Sequence, residues 1–152
     1  MANQLSKSLK FIRDTLYNHP LVNTCEFRDD DVLDTDKETI YPLVNIVLLP
    51  SPPPLTDLYE FRLGFAVLNQ RDDTKTDTSS KFMDDTNYID NVGITDSIVV
   101  DFIQFVLKTH NDLDLNIVEG SMSERIPIKK DERNALDGWT FEATFSTHQN
   151  SV

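Results

Sequence analysis

The chain has 152 residues, 14 of them basic and 26 acidic, for a net charge of −12 at pH 7 and a hydrophobic fraction of 39%. That length supports one domain with one core, and the acidic excess excludes a groove-reading DNA binder, because phosphate binding needs Lys and Arg to displace counterions. No apolar run approaches the ~20 residues of a membrane helix, and the single cysteine, Cys25, excludes an internal disulfide and leaves a thiolate zinc site short of ligands.

The first residues, Met1-Ala2-Asn3-Gln4-Leu5, lack the charged-then-apolar layout of a signal peptide. Together with the lone cysteine this leads to an expectation of folding in a reducing cytoplasm. The plain meaning of the acidic excess is solubility. Its sharper meaning is a surface that DNA passes without sticking.

Residues 4–18 are expected to form a helix. Leu5, Leu9, Ile12 and Leu16 make one stripe, and Lys7, Lys10, Arg13 and Asp14 lie off it. Asn18-His19-Pro20 is the stop, because the residue before proline avoids helical geometry. The mixed charges of the outer face suit a helix that covers the domain's own sheet, not a lipid anchor.

A short strand is expected around Thr24–Phe27. Five aspartates follow within Asp29–Asp36. They do not make a calcium loop, since the sixth and twelfth positions, which need Gly and Glu, hold Asp34 and Ile40. A solvated acidic loop is the reading there.

Ile40–Leu49 is apolar on both faces, which predicts a strand with cover on each side and Pro42 at its start or beside a free edge. Pro50-Ser51-Pro52-Pro53-Pro54 is a stiff, extended connection. In Leu58–Leu68, Tyr59, Phe61, Leu63, Phe65 and Val67 alternate with Glu60, Arg62, Gly64 and Ala66, the pattern of a strand with one buried face.

The polar stretch 69–85 has no apolar period, and Phe82-Met83 is its one apolar spot. A structureless loop of that length is usually functional or disordered, and if functional this one is expected to touch another chain rather than a small molecule. A long helix is expected over 86–110, with a start near Ile94–Thr95 as the alternative, because Gly93 costs about 1 kcal/mol relative to Ala. Its broad apolar surface predicts packing on more than one side or against a neighbouring subunit. Leu115–Val118 is a short strand, and Ile126-Pro127-Ile128 a candidate edge strand within an ambiguous region.

The chain closes on Trp139, Phe141, Ala143, Phe145 and Thr147, alternating with Thr140, Glu142, Thr144 and Ser146. Asp137-Gly138 ahead of it is expected to be the turn that delivers the strand. This strand and the one at 58–68 each carry an aromatic face, and pairing or stacking them would build most of the core. The predicted fold is a single α+β domain with a mostly antiparallel sheet, packed by an N-terminal amphipathic helix and one long central helix.

No catalytic chemistry emerges. The histidines, His19, His110 and His148, fall at element ends, where solvated side chains are the rule, and Cys25 suits a small buried hydrophobe. No His-Glu-x-x-His, Cys-x-x-Cys, Gly-x-Ser-x-Gly or phosphate-loop pattern occurs. Neither catalytic residue, cofactor nor metal is expected. The only handles for an enzyme are carboxylate pairs such as Asp30/Asp31 and Asp84/Asp85.

Asn-Ala-Leu-Asp-Gly-Trp at Asn134–Trp139, feeding an alternating terminal strand, resembles small neck and tail-completion proteins of tailed bacteriophages, common among phages of Bacteroidetes, including the crAss-like group. An Asp-Thr-Asp-Lys-Glu approach to the Tyr-Pro-Leu-Val strand (Asp34–Val44) and the order of elements extend the likeness over nearly the whole chain. The resemblance implies a tail-terminator-like domain. It would assemble with itself as a hexameric or dodecameric ring at the head–tail junction of the virion, put together in the host cytoplasm, touching connector, neck or tail-tube proteins while DNA passes through without specific binding. On that reading Asp29, Asp30, Asp31, Asp72 and Asp73 are candidates to line an acidic lumen, and Phe82 and Met83 candidates for a subunit interface. The alternative class is a small acidic binding module, such as a phage-encoded inhibitor of a host protein.

Overall fold

The computed structural model describes residues 3–27, 40–55, 57–71, 87–108, 113–130 and 135–148. Helix α1 spans Gln4–Tyr17. Asn3 caps it, its Oδ1 accepting the Ser6 N–H at 2.8 Å, which satisfies a donor that the helix itself leaves without a partner. Ser8, Ile12 and Leu16 are its buried face, one residue per turn.

Strand β1 (Thr24–Glu26) is followed by β2 (Leu43–Leu49) and β3 (Leu58–Gln70). Helix α2 spans Tyr88–Lys108, with Asp90 in its first turn and Lys108 in its last, each of the sign the helix dipole favours. Strands β4 (Asn116–Ile117), β5 (Ile126–Lys130) and β6 (Leu136–His148) complete the order. The architecture is α+β, with one mixed sheet of six strands and two helices among the described residues.

The sheet order is β1-β2-β3-β6-β4, with β5 also on β6. A mostly antiparallel sheet was the expectation; the first pair departs from it, β1 running parallel to β2 with Cys25 beside Val44. The other pairings are antiparallel. Pro42 lies just ahead of β2, and its carbonyl accepts the Asn23 and Thr24 N–H groups, so the missing donor costs the sheet nothing.

Strands β3 and β6 pair along their whole length, from Leu58 opposite His148 to Gln70 opposite Leu136. Phe61 therefore faces Phe145, and Phe65 faces Phe141, with ring centroids 5.8 and 4.8 Å apart and nearly parallel planes. Phe102 of α2 closes over them, 5.5 Å from Phe65. This aromatic stack is the centre of the core, with Ile12 and Leu16 from α1 and Ile98, Val99 and Val106 from α2 covering the same face of the sheet. Each such side chain contributes about 1.5–3 kcal/mol by leaving water.

Among the described residues, the two helices cover one face only. The opposite face has a smaller cluster at one end, where Leu43, Ala66, Leu68 and Leu136 pack with Tyr41 and Ile128. The expectation that β2 is covered on both sides therefore holds at Leu43, while Val47 and Leu49 are half-buried.

Asp137-Gly138 is not a turn. Both residues are inside β6, paired with Asn69 and Leu68. The glycine is required by close approach: a Cβ at Gly138 would overlap the Val67 carbonyl oxygen and fall 2.8 Å from its carbon. What reads as a turn signal in the sequence reports close packing of two strands.

The region 119–133, which lacks a readable period, has a physical explanation in its described part. Between β4 and β5 the chain runs along the outer edge of β6 and uses serine hydroxyls in place of backbone carbonyls. Ser121 Oγ accepts the Thr144 N–H at 3.1 Å and Ser123 Oγ accepts the Glu142 N–H at 2.8 Å. Gly120 permits the preceding turn, with φ of 77° and a Ser121 N–H to Val118 carbonyl bond of 3.1 Å.

Candidate functional site

Three features of this fold have the shape or chemistry of a site. The first is a buried polar network at the end of the sheet where β3 leaves and α2 begins. Asp137 is fully buried and grips Arg71, whose side chain is also buried, through both carboxylate oxygens. Asn91 Nδ2 donates to Asp137 Oδ2 at 3.1 Å and to the Gln70 carbonyl at 3.2 Å, while its Oδ1 accepts from Asn69 Nδ2 at 2.8 Å. The Arg71 guanidinium and the Lys129 ammonium both lie over the Tyr88 ring. The network holds the chain rigidly at Arg71 and at Asn87–Asn91, the two positions from which segment 72–86 departs and to which it returns.

The second feature is the face of the sheet that no helix covers among the described residues. Val47 and Leu49 of β2, Ala66 of β3, Ile126 of β5 and Thr140 of β6 line a groove of about 470 Å³. Ile126 is 58% exposed. At one side Arg62 Nη2 pairs with Glu142 at 3.0 Å and Arg62 Nη1 reaches Thr144 Oγ1 and the Ser121 carbonyl. The patch is thus apolar in the middle and carries both signs of charge at its rim.

The third is a groove of about 580 Å³ between the helices. Phe11 and Phe105 meet at one end, centroids 6.4 Å apart, and His19 and Asp101 meet at the other. Leu16, Ile98 and Phe102 form its apolar floor.

His19 was expected to be solvated; instead its side chain is only 14% exposed. Nε2 pairs with Asp101 Oδ2 at 2.8 Å, and Nδ1 accepts the Leu21 N–H at 3.1 Å. The second bond makes Nδ1 an acceptor, so Nε2 carries the proton that Asp101 receives. With both ring nitrogens used inside the fold, His19 has neither a lone pair nor an N–H to offer a substrate in this groove. Cys25 is equally unsuited to nucleophilic chemistry: burial pushes its thiol up to about 12. Among the described residues, no three His, Cys, Asp or Glu side chains gather as metal ligands would.

Asp29, Asp30, Asp31, Asp72, Asp73, Phe82 and Met83 all lie outside the described residues, as do the carboxylate pairs Asp30/Asp31 and Asp84/Asp85. Sequence reasoning missed Asp137, Arg71 and Asn91. Their one available signal was a carboxylate on the apolar parity of β6, since Asp137 shares its face with Trp139 and Phe141. No helix among the described residues is long and apolar enough to cross a membrane. The chain matches no protein-family model and no curated protein.

Proposed function

We propose that this chain is a structural subunit of a ring at the head–tail junction of a tailed bacteriophage, a tail-terminator-like neck or tail-completion protein through whose lumen DNA passes. The observation that carries this reading is a sheet covered by helices on one side alone among the described residues. Two helices protect one face of a sheet whose other face keeps Val47, Leu49 and Ile126 in an open groove. An apolar surface bordered by the ion-paired Arg62 and Glu142 is suited to a different surface of a neighbouring copy, the head-to-tail contact that closes a ring.

Two further points support it. The net charge of −12 suits a lumen that repels phosphate, with Asp29–Asp31, Asp72 and Asp73 as its candidate lining. The rigid polar base at Arg71 and Asn91 suits a segment 72–86 that reaches a neighbouring subunit through Phe82 and Met83. An interaction role also accords with the engagement of His19 and the inert thiol of Cys25.

The test is twofold: the mass of the purified protein by light scattering across concentration and salt, and its presence in purified virions by mass spectrometry. A species of about six or twelve subunits, or a stoichiometric virion component, supports the ring. A strict monomer that is missing from virions overturns it and favours the acidic binding module.

A further inference from the structure

The groove between α1 and α2 is independent of the ring reading, since it lies on the opposite face of the domain from the open sheet. Its walls follow from helical spacing. Phe11, Thr15 and Asn18 present one side of α1, and Ile98, Asp101 and Phe105 one side of α2. From Phe11 to Asn18, which caps α1, the groove runs along the helix for about 10 Å, two turns. Phe105 is 40% exposed at its mouth, above the buried Leu16, Ile98 and Phe102.

The charge on the walls selects the occupant. Asp14 stands on the α1 wall and Asp101 on the α2 wall, with side chains 62% and 63% exposed. Among the described residues, no Lys or Arg lines the groove. Arg13 binds Asp14 through Oδ1 and His19 meets Asp101 at Oδ2, each contact using one of the two carboxylate oxygens. Sequence segments 28–39 and 72–86 of this same chain are both acidic in excess and have the wrong sign to fill it.

We infer that this groove binds an amphipathic helical segment of another protein. Apolar side chains at i, i+4 and i+7 pack against Phe11 and Phe105 over the buried Leu16 and Phe102, and a lysine or arginine on each flank of the segment meets Asp14 and Asp101. Two adjacent helices leave a furrow into which the ridge of a third packs. The flanking charges fix the sign of the partner and its orientation more than its affinity.

The probe is a fluorescein-labelled helical peptide of leucines and lysines, compared with its leucine–glutamate counterpart by fluorescence polarisation on the full chain. The leucine–lysine peptide binds and the leucine–glutamate peptide does not. Phe105→Ser weakens binding about tenfold or more, the loss of one central anchor, and Asp101→Asn weakens it about two- to fivefold and lessens its salt dependence. Glu124→Gln, an exposed acid away from the groove, leaves it unchanged. Asp14→Lys combined with Asp101→Lys reverses the preference toward the leucine–glutamate peptide, an outcome that misfolding cannot mimic. Equal loss in Glu124→Gln and Asp101→Asn would mean that net charge alone attracts the peptide and would overturn the site. So would the same affinity for both peptides, or binding of neither. If Phe105→Ser instead turns a wild-type oligomer into a monomer, the occupant is a second copy and the assignment to a foreign helix fails, while the ring reading survives.

Discussion

Asp137 and Arg71 form a two-pronged ion pair in which the carboxylate has no exposure to solvent and the guanidinium almost none. Arg71 Nε donates to Oδ2 at 3.1 Å and Nη2 donates to Oδ1. Such a pair balances desolvation against attraction while both partners are present. Removing one leaves a buried charge alone. Asp137→Ala is expected to lower unfolding stability by about 3–5 kcal/mol, the range for breaking a buried pair from one side. In Asp137→Leu combined with Arg71→Met the loss should be smaller than in either single variant. Urea unfolding of the set checks this, and equal, additive losses would show that the two side chains are not coupled.

The glycines separate two kinds of backbone constraint. Gly138→Ala places a methyl group into the Val67 carbonyl across the β3–β6 ladder, where backbone must move. The expected result is a loss of more than about 3 kcal/mol or failure to fold. Gly93 is on the exposed side of α2, where an added methyl group meets nothing within 4 Å, so Gly93→Ala should raise stability by about 1 kcal/mol. Thermal melts of the two variants give opposite signs if β3 and β6 pair in this register.

The aromatic stack predicts where the core is most sensitive. Phe145 touches Phe61, Phe65 and Phe102 and is fully buried. Phe145→Ala is expected to cost about 3–5 kcal/mol. Phe105→Ala, at the solvent edge of the α1–α2 groove, should cost far less. A ranking in the reverse order from denaturant midpoints would contradict the packing.

Burial raises the Cys25 thiol from an ordinary 9.0 to about 12, and the nearby Arg13 offsets only part of this. The folded chain thus keeps its proton at pH values where the unfolded chain loses it. The stabilising contribution is complete below about pH 9, declines as pH rises, and is gone above about pH 12. Cys25→Ala should flatten the fall in thermal midpoint across that alkaline window. At pH 8 the native thiol should react with iodoacetamide much more slowly than the urea-unfolded thiol.

Periodicity was a faithful guide wherever one side chain's environment repeats along an element. The stripe Leu5, Leu9, Ile12 and Leu16 marks α1, and the alternation in Tyr59–Val67 and Trp139–Thr147 marks β3 and β6. The start of α2 at Tyr88 shows the limit. Gly93 weakens the first half of the helix on propensity, yet the buried Asn91 and Thr95 hold that half in place. Propensity is a small energy, and a tertiary hydrogen-bond network exceeds it.

By itself, then, the sequence determined the element types, the aromatic faces and the acidic surface, because each depends on neighbours a few residues away. Only the tertiary structure decided the parallel β1–β2 pair, the strand role of Asp137-Gly138, the serine-capped edge of β6 and both grooves. Those depend on which distant segment arrives alongside. Phe11 meets Phe105, and His19 meets Asp101, because the core beneath them sets the two helices on one face of the sheet. A residue's periodicity reports the face it occupies, whereas the identity of its partner is set by the packing of the whole core.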